Sequence, residues 1–202
     1  QLIEARTETH LWAETYDRTF QPEEIFGLQD ELVPKIVSSV ADMHGALPRS
    51  MSEILRMKSS EQLSPYEALL RSFGYNERFT PEELGEVRTC LERAVDEAPA
   101  NGDCWAMLSL MYANEYGHWH IHQPDSLDKA LRAARTAVQT APQHSLPYYA
   151  LAQALFFHKE THSFRVAAER AVALNPMDGA TAAFMGLLIA YSGDWERGCA
   201  LA

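Results

Sequence analysis

The sequence predicts an all-α fold: a superhelix of antiparallel helix pairs, preceded by a short β-hairpin and a kinked helix. The main observation is a segment that recurs three times and ends at Pro99, Pro142 and Pro176. Each copy reads as a helix with small residues on one face, and the proline stops it shortly after its last turn. Because the prolines are 43 and 34 residues apart, the copies are predicted to be units of one repeat, with an inserted loop in the longer interval.

Residues 1–47 do not follow the repeat. Two short strands are predicted, Leu2 to Ala5 and His10 to Tyr16. A helix is predicted from Pro22 to about His44, with a broad apolar face. Pro34 lies inside that helix and is expected to kink it.

Residues 48–63 are predicted to be a linker, and residues 64–202 to be the helical array. Capping boxes with proline at the first helical position are predicted at Ser64 and Thr80, with Glu67 and Glu83 as the returning acids. They frame a divergent repeat over 64–99. Further repeats are predicted from about 102, 145 and 179, and the last is truncated.

These repeats resemble the tetratricopeptide repeat. Large residues follow the first two prolines at the family's spacing, and a small residue stands where the two helices of a repeat cross closely. Serine and alanine replace the family's glycine in two copies, at Ser109 and Ala152. The residues that carry the resemblance are Trp105, Leu108, Tyr112, Tyr148, Leu151 and Gly186, with the small residues Ala94, Ala137 and Ala171.

The resemblance implies a concave groove built from the first helix of each repeat. No position carried over to this groove is Lys or Arg, so the basic groove that grips carboxylates in some family members is not expected. An apolar groove suits an apolar helix or an extended protein segment, or it is filled by another part of the same protein. The expected groove residues are Asp103, Ala106, Leu110, Ala113, Asn114, Leu146, Tyr149, Gln153, Phe156, Phe157, Ala180, Ala183, Leu187, Ala190 and Tyr191.

The amino-terminal piece resembles the end of a TolB-like domain. The resemblance rests on the runs 1–5, 10–14, 16–18 and 25–31, although Glu8 stands where the family usually has glycine in the hairpin turn. Such domains recur in bacterial proteins that join a signalling module to tetratricopeptide repeats. The implied module is a class III adenylate cyclase domain or, alternatively, a winged-helix DNA-binding domain. We therefore expect a non-catalytic segment of a longer protein, whose partner is a protein segment, its own signalling domain or a second copy of itself. A structural or oligomerisation spacer is the other reading.

Composition restricts the partners and the compartment. The chain has 202 residues and a formal net charge of −11, which opposes binding to nucleic acid and to anionic lipid. Cys90, Cys104 and Cys199 are widely spaced, so neither a disulfide framework nor a zinc site is predicted. The longest apolar run is too short to cross a bilayer. A cytoplasmic protein without a cofactor is expected.

No catalytic constellation is predicted. His118, His120 and His122 alternate as ligands on a strand would, yet no carboxylate or cysteine apart from the nearby Asp125 completes a metal site. A solvated insertion loop explains these histidines better. Paired acids such as Glu82 and Glu83 fit helix ends, where negative charge is favourable.

Overall fold

A computed structural model describes residues 1–5, 8–17, 25–117 and 125–201 of the chain. These residues form a mostly helical fold with one two-stranded antiparallel sheet, as the sequence predicts. The strands are β1 (Leu2–Glu4) and β2 (Thr9–Trp12). The helices are α1 (Ile25–Ala41), α2 (Ala46–Arg56), α3 (Pro65–Arg78), α4 (Pro81–Glu97), α5 (Gly102–Gly117), α6 (Ser126–Thr140), α7 (Ser145–Phe157), α8 (Thr161–Leu174), α9 (Gly179–Tyr191) and α10 (Trp195–Leu201).

The hairpin is short and irregular. Ile3 pairs with His10 and Glu4 with Thr9, and the register shifts between Leu2 and Ile3. Glu8 has a φ of 55° in the connecting turn, a conformation that glycine adopts without strain. Because two strands alone are marginal in water, the contact between β2 and α2 is what anchors the sheet to the rest of the chain.

The predicted linker at 48–63 is largely ordered structure. Helix α2 extends to Arg56, and a 3-10 helix follows over Ser60–Gln62. A Cβ atom on Gly74 of α3 would lie 2.3 Å from Ser52 Oγ, so α2 packs closely against α3. Ser52 and Leu55 of α2 are both buried. Because they are three positions apart, they lie on one face of the helix, and that face is turned away from solvent.

Short connections join the helices into pairs. Only Phe79 and Thr80 separate α3 from α4, and three-residue connections separate α7 from α8 and α9 from α10. Gly193, with a φ of 97°, supplies the left-handed turn after α9. Side-by-side contacts between α5 and α7, and between α7 and α9, then place the first helices of successive pairs next to each other.

The three proline-stopped helices end in the same backbone conformation. The last residues before the prolines have φ and ψ of −133° and 69° at Ala98, −133° and 65° at Ala141, and −144° and 78° at Asn175. Proline disfavours the helical conformation at the residue before it, which explains this shared geometry. In all three turns, the carbonyl of this residue accepts a hydrogen bond from the backbone N–H three residues later. The sequence repeat is therefore also a repeat of backbone conformation.

Small residues and a continuous core hold the pairs together. Ala94, Ala137 and Ala171, predicted at close helix crossings, are all buried. One cluster of buried apolar side chains extends from Leu55 to Ile189. None of the helices in the described ranges is both long enough and apolar enough to cross a membrane.

The two predicted capping boxes differ in the structure. At Ser64 the box forms in full, with reciprocal hydrogen bonds to Glu67. At Thr80 the prediction is wrong, because the threonine side chain makes no capping hydrogen bond. Glu83 instead accepts hydrogen bonds from Arg78 at 2.9 and 3.1 Å and pairs with Arg56 at 3.0 Å. Two guanidinium partners outcompete one backbone amide for the same carboxylate.

Candidate functional site

The first helices α5, α7 and α9 carry the residues expected to line the groove, and the structure divides these residues into three zones. The middle zone is buried. Its members are Ala106, Leu110, Ala113, Asn114, Tyr149 and Gln153.

Two of the buried groove residues are amides joined by one hydrogen bond. Gln153 Nε2 donates a hydrogen bond to Asn114 Oδ1 at 3.4 Å. Tyr149 packs against Phe184 with ring centroids 5.5 Å apart. Burial raises the pKa of the Tyr149 hydroxyl above its ordinary value, and the Asp178 carboxylate adds to the shift. This zone therefore acts as core in the described structure.

The turn between α1 and α2 lies next to the amino-terminal ends of α5, α7 and α9, at one end of the predicted groove. We call residues 38–48 the corner segment. Asn175 Nδ2, in the turn between α8 and α9, donates a hydrogen bond to Asp42 Oδ2 at 3.0 Å. Ser38 Oγ donates to the carbonyl of Met177 at 3.3 Å. The corner segment thus bridges the first and last parts of the helical array.

A cavity of about 520 Å³ lies between the corner segment and the first helices. It includes two of the predicted groove residues, Asp103 and Leu146. Asp103 is held by His144, whose Nδ1 lies 3.1 Å from both carboxylate oxygens. A second cavity of about 330 Å³ lies between His44 of the corner segment and the amides Asn114 and Gln153.

The carboxyl-terminal ends of α7 and α9 form what we call the open zone of the predicted groove. Here Phe156, Phe157 and Tyr191 line a cavity of about 440 Å³. Phe156 and Phe157 make an edge-to-face pair with ring centroids 5.7 Å apart. Leu187 and Tyr191 are 44% and 67% exposed. Of the predicted groove, this zone has the most accessible large apolar residues. Outside this zone, Ala180 and Ala183 in the first half of α9 are also exposed. Ala190, near the end of α9, is half-buried.

Sequence reasoning did not identify the corner segment as part of the site. Asp42, Met43 and His44 lie far from the repeats in the sequence, and nothing local links them to the groove. One signal was available, since Gly45 sits in a turn so tight that an added Cβ would lie 2.6 Å from the backbone of Val40. A glycine between two helical segments indicates such a sharp reversal.

The described residues contain no cluster of metal-ligating side chains. Within 1–5, 8–17, 25–117 and 125–201, no three His, Cys, Asp or Glu residues converge as metal ligands would. The predicted loop histidines His118, His120 and His122 lie outside the described residues. The adjacent Asp125 is exposed at the start of α6, where its side chain makes no capping hydrogen bond.

Comparison with known proteins gives one informative similarity. The chain is 32% identical over 158 residues to the protein named "Putative adenylate cyclase 3" from Rhizobium meliloti (strain 1021). The aligned part covers 77% of this chain but 26% of that protein, so the chain spans about a quarter of the relative's length. No protein-family model matches the chain. The helical fold and this similarity fit a protein related to adenylate cyclases and to signalling.

Proposed function

We propose that this chain is a non-catalytic tetratricopeptide-type scaffold within a cytoplasmic bacterial signalling protein of the adenylate cyclase class. The similarity to a named adenylate cyclase supports the class. The recurrence of one turn conformation before Pro99, Pro142 and Pro176 supports the repeat architecture. The amino-terminal hairpin and α1 are, in this proposal, the end of a TolB-like domain.

The scaffold binds a protein segment in the open zone of its groove. The observation that carries this proposal is the exposure of Tyr191, which lines one cavity with Phe156 and Phe157. Leu187, one helical turn before Tyr191 on α9, is exposed as well. Rigid aromatic side chains beside a cavity are typical anchors for an apolar helix or an extended segment.

A peptide-binding experiment tests this assignment. Apolar peptides selected by display against the chain would be titrated against it and against Tyr191→Ala and Leu187→Ala. Loss of an anchor is expected to weaken binding about ten-fold or more. Ile54→Ala is the control, because Ile54 is an exposed aliphatic residue of α2 outside the groove. Equal affinity for the native chain and both groove variants would contradict the proposal.

Absence of catalysis has its own test. The chain, supplied with ATP and a divalent cation, is expected to form no cyclic AMP. Cyclic AMP formation that tracks the folded chain through purification would overturn the non-catalytic assignment.

Self-association is also part of the proposal. Helix α1 has no fully buried residue, and Phe26 is 77% exposed on it, beside the exposed Ile25 and Val33. Contiguous exposed apolar surface of this kind favours contact with another copy. Sedimentation of the native chain is expected to show concentration-dependent assembly that Phe26→Asp removes and Ile54→Asp does not. A monomer at all concentrations would contradict it.

The burial of the groove's middle zone favours a second candidate function. With the corner segment lying across the groove, the array fits a rigid spacer between the domains of a longer protein. In that case the affinity of the selected peptides would not change when Leu187 or Tyr191 is replaced by alanine.

A further inference from the structure

A surface cleft of about 610 Å³ lies between α6, α7 and α8 and shares no residue with the groove. Its size falls within the range of about 300–1,000 Å³ that is usual for small-molecule sites. Leu151 and Leu155 of α7 and Ala167 of α8 supply apolar walls. Val166, on the same surface of α8, is 58% exposed. The cleft therefore offers an apolar surface of ligand size that the described chain does not cover.

Cationic side chains flank this apolar surface. The two are Arg135, which reaches the cleft from α6, and Arg170, which reaches it from α8. The guanidinium carbon of Arg170 lies 5.8 Å from the centroid of the Tyr148 ring. A cation over an aromatic face is attracted by it, which holds the Arg170 head group at the cleft.

These two arginines differ from most others in this acidic chain. No carboxylate lies within ion-pair distance of Arg135 or Arg170 in the ranges that the structure describes. Arg132, on the same helix as Arg135, also has no carboxylate within ion-pair distance among the described residues, but it does not line the cleft. The described arginines that pair with a carboxylate include Arg56, Arg71, Arg78, Arg88, Arg93, Arg165 and Arg197.

The charge balance inside the cleft favours an anion. Glu160 is the one carboxylate among the described residues that line it, against the guanidiniums of Arg135 and Arg170. A planar guanidinium presents two parallel N–H donors that match a carboxylate, and such charge-assisted bonds are among the stronger hydrogen bonds in proteins. An anion with an apolar body would satisfy both the cations and the exposed walls.

We propose that this cleft binds a small amphipathic carboxylate, its anionic group held by Arg135 and Arg170 and its apolar body against Leu151 and Val166. The site is separate from the groove of the proposed function. Binding there requires neither a protein partner nor an open groove.

The experiment compares three probes of equal chain length: octanoate, octanol and octylamine. Each is titrated into the full chain below its aggregation concentration, with NMR chemical shifts as the readout. Octanoate is expected to bind at least ten-fold more tightly than octanol or octylamine. The overall charge of the chain would instead favour octylamine over octanoate, because a protein with net charge −11 attracts cations. Tighter binding of octanoate therefore reports on the local charge of the cleft.

Arginine variants locate the site. Arg135→Ala and Arg170→Ala are each expected to weaken octanoate binding about ten-fold, in line with the loss of a charge-assisted hydrogen bond. Arg170→Lys keeps the charge but loses the planar fork, so an intermediate affinity is expected. Arg132→Ala is the matched control, because Arg132 is an exposed arginine of the same helix that does not line the cleft. All three residues are exposed, so the four variants are expected to fold, and circular dichroism checks this.

Three results would overturn the proposal. They are the failure of octanoate to bind below its aggregation concentration, binding of octylamine or octanol as tight as that of octanoate, and an effect of Arg132→Ala on octanoate affinity as large as that of Arg135→Ala. The Leu187→Ala and Tyr191→Ala variants are expected to bind octanoate normally, so failure of the groove assignment and failure of this site are distinguishable.

Discussion

Asn175 donates a hydrogen bond to Asp42 across 3.0 Å, although 133 residues of sequence separate them. With the bond from Ser38 to the Met177 carbonyl, it ties the corner segment to the turn between α8 and α9. Few other interactions fix α1, since it has no fully buried residue. These two polar contacts, with the packing of Met43 against the core, therefore hold the corner segment at this end of the predicted groove.

Asn175→Ala is expected to loosen the corner segment. Ala98 and Ala141 occupy the equivalent position in the other two turns, so alanine is compatible with the backbone there. Loss of one hydrogen bond, worth about 0.5–1.5 kcal/mol, should speed amide exchange in residues 42–48 about two- to ten-fold. Hydrogen exchange followed by mass spectrometry measures this. Unchanged exchange in 42–48 would show that packing, and not the bond, closes the groove.

Two glycines at equivalent positions are expected to respond oppositely to alanine. A Cβ on Gly102 would lie 2.5 Å from Ala141 Cβ and 2.8 Å from Thr140 Oγ1, whereas a Cβ on Gly179 would meet nothing within 4 Å. Gly102→Ala is therefore expected to lower the free energy of unfolding by about 1–3 kcal/mol. Gly179→Ala is expected to be neutral or to raise it by up to about 1 kcal/mol. Urea denaturation measures the free energy of unfolding of both variants. Equal changes in the two variants would contradict the difference in packing around the two glycines.

The three cysteines are expected to differ in reactivity. Burial raises the pKa of Cys104 to about 12, with Asp103 adding to the shift, and burial also raises the pKa of Cys90. Cys199 is exposed. Iodoacetamide at mildly alkaline pH should therefore label Cys199 in the folded chain and all three thiols in urea, because the thiolate is the reactive form. Mass spectrometry counts the adducts. Rapid labelling of Cys104 in the folded chain would contradict its burial.

Glu67 is expected to make stability depend on acid pH. The hydrogen bond from Lys58, then those from the Ser64 backbone and side chain, lower the pKa of Glu67 from 4.5 to about 2. Because the unfolded chain keeps the higher pKa, the stabilisation is fully present above pH 4.5 and is lost as the pH falls through about 2. Glu67→Gln lacks this titration. The difference in unfolding free energy between native chain and variant should narrow as the pH falls from 4.5 toward 2. A constant difference across that interval would contradict the role of the carboxylate.

Much of the helical framework could be predicted because its signals are local. A proline constrains the residue before it, so the ends of α4, α6 and α8 follow from Pro99, Pro142 and Pro176. Ser64 and Glu67 form the predicted capping box because both partners lie within one turn. The prediction at Thr80 failed because Arg56 and Arg78, from two other turns of the fold, bind Glu83 instead.

The candidate site could be predicted only in part. Family resemblance indicated which helix faces form a groove, and that assignment remains a prediction. It could not indicate that Tyr149 and Gln153 are buried while Leu187 and Tyr191 are exposed. That difference arises from where the neighbouring elements lie. The cleft around Arg135 and Arg170 had no sequence signal, because its residues come from three helices and share no motif.

The sequence by itself determined the helical class, the helix ends at the prolines and the burial of Ala94, Ala137 and Ala171, because each depends on residues within a few positions of one another. The tertiary structure decided which part of the groove is open and where the corner segment lies. It also decided which arginines lack a carboxylate within the described ranges. These features depend on contacts between residues more than a hundred positions apart, such as Asp42 and Asn175, or on the relative placement of separate helices. Local propensity carries no information about either.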